Sequence, residues 1–335
     1  MSNRFRVSST LPKKLEDLRI STAAVLRHAG LPLGLFEQGK VQVTTAEMFG
    51  LYRAIAEVSR DPAIGLKLGT EERVERYDPI AIAALYTRSF RDALQRMSRY
   101  KQLTCPEEIR LREHDGEFLV HFIWLLADQE EPDLLIDTCF AWVVSIGRRG
   151  TGLPVNPKRI ELRRPEKHRK ILEPHFRCPV EFEAKENVLV FSKADIERPF
   201  LTHNADLLGI VAPQLEAELA QQLAQQTVRE QVKGTLKKLL AGQRPALQDV
   251  ARELRLSTRT LQRRLTDEDA TFQQLMEDAR RELAQHYLLH SSLELNETAY
   301  LLGYEDANSF FRAFHGWEGT SPGEWRASHI GSTSR

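Results

Sequence analysis

Three cysteines are too few, and too scattered, to hold a fold together. Cys105, Cys139 and Cys178 form no C-x-x-C pair and their number is odd, which argues against a disulfide framework and for a reducing compartment. A long apolar run is also missing. The richest stretch, Phe118 to Ala127, contains His121 and, at about ten residues, is half of what a bilayer-spanning helix needs. The opening MSNRFRVSSTLPKKLEDLRI lacks the apolar core of a secretory signal, so a cytoplasmic protein is expected. No Gly-rich phosphate loop, H-E-x-x-H or G-x-S-x-G occurs, so no catalytic residue, cofactor or metal is expected. Net charge is absent too, with 47 basic and 47 acidic side chains. A surface for a polyanion would have to be basic locally.

What is present suits a globular chain. Its 335 residues are enough for two domains. Hydrophobic residues at 41% and charged residues at 28% exclude wholesale disorder.

Residues 12–69 read as mostly helical. Thr44/Thr45 is an N-cap signal ahead of Met48, Phe49, Leu51, Tyr52 and Ile55 at helical spacing. Asp61-Pro62 should open a short helix closed by Gly69. Residues 80–103 read as one further helical stretch, through Leu85, Ala93, Leu94, Met97 and Leu103. The period then changes. Ile109 to Arg112 alternates, Asp115-Gly116 is a hairpin signal, and Phe118 to Leu126 is strand-like. A helix is expected at 133–147, short strands at Arg159–Leu162 and Val188–Phe191, and a helical piece near 166–173. Residues 1–205 are therefore expected to form an α+β domain.

Residues 206–229 differ. Leu208, Val211, Leu215, Leu219 and Leu223 make an apolar stripe, the rest of the helix being Glu- and Gln-rich. Two readings stay open: a helix packed on its own domain, or one pairing with its counterpart in a second subunit. From about residue 230 to 330 the chain reads as wholly helical, and GSTSR as a frayed tail.

The last hundred residues contain one pattern twice. Leu247, Val250, Ala251 and Leu254 form one apolar face, helical character breaks at Arg255-Leu256, and Ser257 is an N-cap for the next helix. That helix, 258–266, buries Leu261 and Leu265, four apart, and turns Arg259, Gln262, Arg263 and Thr266 outward. Arg can grip guanine and Gln adenine with paired hydrogen bonds in a major groove. About fifty residues on, Leu295, Thr298, Ala299 and Leu302 form a first helix, Gly303 ends it, and Tyr304 sits in the turn. Phe310 and Phe314 face inward on the second helix, and Asn308, Phe311, Arg312 and His315 outward. Between the units, Leu275, Ala279, Leu283 and Tyr287 stripe a helix at 272–289. Its length of roughly 27 Å approaches one turn of DNA, about 34 Å.

The segment LELNETAYLLGYEDANSFFRAFHGWEGTSPGEWR, 293–326, resembles the signature of AraC/XylS-type bacterial transcription regulators. The resemblance lies in A-x-x-x-G-Y, in the SFFRAF helix, in the closing G-x-S-P-x-E-W-R, and in an upstream S-x-R-x-L-x-R. It covers about 230–328. It implies two helix-turn-helix subdomains joined by a long helix, binding about two turns of promoter DNA. By position it implies base-reading roles for Arg259, Gln262 and Arg263, and for Asn308, Phe311 and Arg312. Phe311 departs from the small or polar residue of that pattern, leaving open contact with a thymine methyl or simple packing. More weakly, the stretch from Tyr77 to Phe122 resembles the effector domain of many such regulators. This implies a small-molecule effector and a homodimer, and for the whole protein contact with promoter DNA and RNA polymerase is expected.

Candidate effector-pocket residues are the aromatics Tyr86, Phe122, Trp124 and Trp142, each of which could equally be core. Two other readings of this half remain: a metal set of His168, His175 and Cys178, which would suit a metal sensor or a fused enzyme, and a redox role for Cys178, activated by Arg177. From Arg244 to Arg264 there are six arginines against Asp249 and Glu253. From Glu230 onward, however, basic and acidic residues number 14 and 15, and Asp267-Glu268-Asp269 follows the first outward-facing helix. Phosphate attraction is therefore expected to be focused on the first unit and opposed nearby.

Overall fold

The computed structural model describes residues 4–7, 10–37, 41–71, 73, 76–101, 103–104, 107–124, 129–224, 227–240, 242–291 and 293–330. Cys105, the end of the stretch expected as strand to Leu126, and the GSTSR tail lie outside them. The chain forms two compact units, Ser2–Ala220 and Gln221–Arg335.

In the first unit β1 (Arg4–Arg6) pairs antiparallel with β2 (Gln42–Thr44), and α1 (Leu11–Asp17) and α2 (Thr22–His28) come between them in sequence. α3 (Thr45–Ser59) starts at Thr44, whose hydroxyl accepts from the Glu47 N–H at 3.1 Å while Glu47 accepts from the Thr44 N–H at 2.7 Å. This reciprocal cap satisfies two orphan donors. α4 (Ile64–Gly69) follows.

The helix expected over 80–103 is two, α5 (Pro79–Leu85) and α6 (Phe90–Lys101). The break comes from a distant partner. Phe90 N–H donates to the Arg198 carbonyl at 3.1 Å and Phe200 N–H to the Arg88 carbonyl at 2.9 Å. Those backbone groups cannot also serve a helix.

β3 (Glu107–His114) and β4 (Glu117–Trp124) form the expected hairpin, with Asp115 and Gly116 both left-handed at φ 50° and 75°. α7 (Asp133–Thr151), β5 (Arg159–Glu161), α8 (Arg169–Phe176), β6 (Val180–Glu181), β7 (Val188–Ser192) and α9 (Lys193–Ile196) complete the sheet and its cover. Strand order is β3-β4-β7-β5-β6, antiparallel except for the β5–β6 pair. Trp124 meets Phe49 of α3 edge-on at 5.3 Å and Phe122 lies 5.7 Å from Phe140 of α7, so α3 and α7 cover one face. Gly69 ends α4 without a left-handed turn. Its role is close approach: a Cβ there would lie 2.3 Å from the Thr138 carbonyl and 2.7 Å from the Ala141 Cβ on α7.

His121 is buried although alternation puts it opposite Phe122. Its Nδ1 sits 2.9 Å from a Glu186 oxygen. Burial alone would push the Glu186 carboxyl up, but His121, Arg112 and Arg110 together outweigh it and hold the carboxyl below its ordinary value.

α10 (Ala205–Ala224) contains the boundary between the units. Leu215 and Leu219 are buried with Ile80, Ala83, Tyr100 and Leu103, and Leu208 and Val211 pack partly on the same cluster. Glu216 fixes the helix by accepting from Arg99 Nε at 2.6 Å and from the Tyr100 hydroxyl at 2.8 Å. Leu215 and Leu219 of the stripe are therefore buried within their own chain and Leu208 and Val211 partly so, while the side chain of Leu223 lies outside the described residues.

The second unit is helical. It comprises α11 (Val228–Leu239), α12 (Leu247–Glu253), α13 (Thr258–Asp267), α14 (Phe272–His290), α15 (Leu295–Leu301), α16 (Ala307–Glu318) and α17 (Pro322–Ile330). α14 is the central strut. On one side Glu282 bonds Lys233 of α11 at 2.7 Å and pairs with the buried Lys237. On the other, Arg280 donates to the Leu302 and Gly303 carbonyls at 3.0 and 2.9 Å, with its guanidinium 4.3 Å from the Tyr304 ring centre. Arg326 of α17 donates to the Leu288 and Leu293 carbonyls at 3.2 and 2.7 Å. Buried Arg280 and half-buried Arg326 thus satisfy carbonyls at or just beyond the C-terminal ends of α14 and α15.

Candidate nucleic-acid interface and a cavity in the first unit

The two helix-turn-helix units repeat one backbone geometry. In the first, Arg255 takes the left-handed conformation at φ 55°, and Leu256 N–H returns to the Ala251 carbonyl at 2.9 Å. In the second, Gly303 takes it at φ 71°, and Tyr304 N–H returns to the Ala299 carbonyl at 3.1 Å. Each following helix is capped by a side chain. Ser257 Oγ accepts from Thr260 N–H at 3.1 Å, and Asp306 from Ser309 N–H at 2.8 Å. Asp306 was not singled out from the sequence, although D-x-x-S before an apolar helix is a readable start. Its bonds to Ser309 hold its carboxyl below the ordinary range.

Each second helix divides into an inner and an outer side. Leu261 and Leu265 of α13 are buried, and Arg259, Gln262, Arg263 and Thr266 are exposed. Phe310 and Phe314 of α16 are buried, and Asn308, Arg312 and His315 are exposed. Phe311 is intermediate, its ring 5.8 Å from that of Phe310. Packing therefore takes up part of Phe311. Arg312 is steadied by Ser309 Oγ at 3.1 Å. Behind α16, Arg281 Nε and Gln285 Nε2 of α14 both donate to Glu318 at 2.7 Å, tying its C-terminal end to the strut.

The first unit holds a cavity of about 160 Å³. Leu11 and Lys14 of α1, Met48 of α3 and Leu135 and Trp142 of α7 contribute to its wall. Of the four aromatics proposed from sequence, Trp142 lines it and the other three do not. Phe122 and Trp124 are core, and Tyr86 follows α5, partly buried against the core. Lys14 was missed because α1 carried no signal beyond amphipathicity. Its ammonium donates to the Leu68 carbonyl at 3.3 Å, and the Glu71 carboxylate is 3.9 Å away. Burial pushes the Lys14 ammonium below its ordinary value, a shift that Glu71 and Asp78 partly offset. Lys101 lies over the Trp142 ring at 4.8 Å.

The surroundings of Cys178 run against the redox reading. The residue is buried and its thiol is pushed up to about 12, since desolvation outweighs the nearby Arg148. Among the described residues no three His, Cys, Asp or Glu side chains gather as metal ligands, so His168, His175 and Cys178 do not form a set. Also among them, no helix is long and apolar enough to cross a membrane.

Comparison with known proteins follows the same division. Residues 20–200 match the N-terminal arabinose-binding domain of the AraC transcription regulator, and residues 250–328 match a helix-turn-helix domain. The chain is 30% identical over 270 residues to the ornithine utilization regulator of Pseudomonas aeruginosa, covering 79% of each. It is 26% identical over 295 residues to the regulator VqsM of the same species, covering 83% of this chain and 88% of that one. Among solved structures, the transcriptional regulator CdpR from Pseudomonas aeruginosa aligns over 96% of this chain and 99% of its own, at 20% identity and a TM-score of 0.46. With an arabinose-binding-type first unit and a double helix-turn-helix second unit, this chain belongs to the AraC family of DNA-binding transcription regulators.

Proposed function

We propose that the protein binds promoter DNA as a homodimer, laying α13 and α16 in successive major grooves, and that a small effector in the cavity of the first unit alters this binding or its contact with RNA polymerase. The observation that carries the reading is the duplicated partition of side chains. Two short helices bury only two apolar residues each, and both leave groove-reading types outward: Arg259, Gln262 and Arg263 on one, Asn308 and Arg312 on the other. α14, at 19 residues, supplies roughly 28 Å of separation. The cavity, whose wall combines apolar side chains such as Leu11, Met48 and Leu135 with the charged groups of Lys14, Glu71, Arg76 and Asp78, supports the effector reading.

For the homodimer, the support has moved. Leu215 and Leu219 are occupied within the chain, while Leu207 and Ile210 stand exposed on the same helix, with Leu201 exposed just before it. The test is footprinting on DNA flanking the gene. Two protected major-groove segments about one helical turn apart are expected per chain. Protection of a single segment, unchanged by Asn308→Ala and Arg312→Ala together, overturns the two-helix reading.

A further inference from the structure

The cavity's walls say something about what enters it, given the reading above that an effector binds there. Size comes first. A volume near 160 Å³ matches that of an engineered protein cavity which accommodates benzene, so the guest is a compact body of roughly six to ten non-hydrogen atoms. Next comes polarity. Leu11, Met48, Leu135 and the face of Trp142 offer apolar contact.

The charged groups of the wall are not equal. Arg76 is paired with Asp17. Asp78 is committed to capping α5, accepting from Ala81 N–H at 2.8 Å. Glu71 accepts from the Arg73 backbone N–H at 3.1 Å. Lys101 rests on Trp142. Lys14 differs. An ammonium has three donors, and among the described residues its one hydrogen bond is the 3.3 Å contact to the Leu68 carbonyl. Glu71 at 3.9 Å lies beyond hydrogen-bond reach. A half-desolvated cation with unused donors beside an apolar hollow is the complement of an anion on an apolar body.

We infer that the cavity is built for a small organic monocarboxylate, its carboxylate bonded to Lys14 Nζ and its apolar body lying against Leu11, Met48, Leu135 and Trp142. Desolvation depresses the basicity of Lys14 more than Glu71 and Asp78 restore it, and a carboxylate bonded to Nζ would favour the charged ammonium further.

The test uses the full-length protein and a thermal-shift titration with matched probes of six to ten non-hydrogen atoms. These are cyclic and branched monocarboxylates, their neutral primary amides, and the amino acid ornithine. Stabilisation by one or more carboxylates, with the matching amide at least tenfold weaker, is expected. Lys14→Met should remove the difference between acid and amide, and Lys14→Arg should keep it. Equal binding of acids and amides, or stabilisation by ornithine alone, overturns the proposal. So does a wild-type preference for acids that survives in a folded Lys14→Met protein. Should Lys14→Met fail to fold, Trp142→Leu serves instead, and is expected to weaken acid and amide alike by lost apolar contact; unchanged affinity for both overturns the assignment to this cavity. A separate readout is DNA binding with and without the stabilising acid. Binding without any effect on DNA sinks the effector reading while leaving the ligand class intact. A non-carboxylate that alters DNA binding through this cavity does the reverse.

Discussion

The carboxylate of Glu268, one residue beyond α13, accepts from the backbone N–H of Val228 at 2.8 Å, and its other oxygen from Arg229 at 3.0 Å. Together with the Thr227–Glu230 reciprocal cap, this satisfies the exposed first turn of α11. One member of the Asp267-Glu268-Asp269 run is thus employed in joining α13 to α11. Asp267 and Asp269 remain exposed. Glu268→Ala is expected to cost about 1 kcal/mol, a typical cap loss, read as faster hydrogen exchange at Val228 and Arg229. Asp267→Asn should leave that exchange alone and tighten non-specific DNA binding. Unchanged exchange in Glu268→Ala would mean that its carboxylate does not cap α11.

Arg259 and Arg263 lie four residues apart on the exposed side of α13, whereas α16 exposes a single arginine, Arg312. A good bidentate base contact is worth about 1–3 kcal/mol. The double variant Arg259→Ala/Arg263→Ala should therefore weaken operator binding by at least tenfold more than Arg312→Ala, measured by fluorescence anisotropy at two salt concentrations. If both arginines touch phosphates instead, the salt slope falls by about two and sequence preference survives. Equal losses for the double variant and Arg312→Ala would remove the ranking of the two units.

How much of this was readable beforehand depended on whether the cause was local. The two helix-turn-helix units were legible because spacing, caps and turn residues all lie within a few dozen residues. The hairpin was legible because Asp115-Gly116 carries its own turn. The break between α5 and α6 was not, since Arg198 and Phe200, over a hundred residues away, claim the backbone at Arg88–Phe90. Ser89 did hold a start signal, and its hydroxyl accepts from Asp92 N–H at 3.2 Å, but the apolar stripe continuing on both sides hid it. The cavity was illegible for a different reason. Its wall is assembled from α1, α3, α4, α5, α6 and α7, and aromatic content singled out Phe122 and Trp124, which the sheet turns into core.

Glu282 and Lys237 give a pH prediction. Burial lowers the basicity of Lys237, and the carboxyl of Glu282 is held below its ordinary value by Lys237 and Lys233 although burial opposes this. A carboxyl depressed in the folded state stabilises fully above its unfolded value of about 4.3, and that contribution is lost as pH falls through the folded value. Glu282→Gln strands the buried Lys237 charge. The cost should be on the order of 2 kcal/mol at pH 7, below that of a fully buried pair because Glu282 keeps 34% of its side chain exposed. It should shrink as pH falls through the depressed folded value of Glu282, where the wild-type carboxyl itself becomes protonated. Hydrogen exchange in α11 and α14 across pH 3–7 reads this, and a cost independent of pH would contradict it.

Gly303 combines two demands at the turn of the second unit. Its φ of 71° is a conformation that residues with a Cβ adopt at a cost, yet Arg255 tolerates its equivalent in the first unit at 55°. Conformation alone therefore does not require glycine. Space does: a Cβ at Gly303 would lie 2.2 Å from the Gln243 carbonyl oxygen and 2.9 Å from its carbon. These are backbone atoms, so relief means moving the segment that precedes α12, where Gly242 N–H also donates to the Leu301 carbonyl at 3.2 Å. Arg280, clamped on the Leu302 and Gly303 carbonyls, resists the same movement. Gly303→Ala is expected to destabilise the second unit by roughly 2–4 kcal/mol, the range of strain plus overpacking. The reciprocal substitution Arg255→Gly, which removes a Cβ at the equivalent conformation where no carbonyl clash exists, should change stability by under about 1 kcal/mol. Chemical denaturation of both variants, followed by Trp317 and Trp325 fluorescence, separates the two causes: a gain from Arg255→Gly as large as the loss from Gly303→Ala would make backbone conformation, and not the contact with Gln243, the reason a glycine stands there.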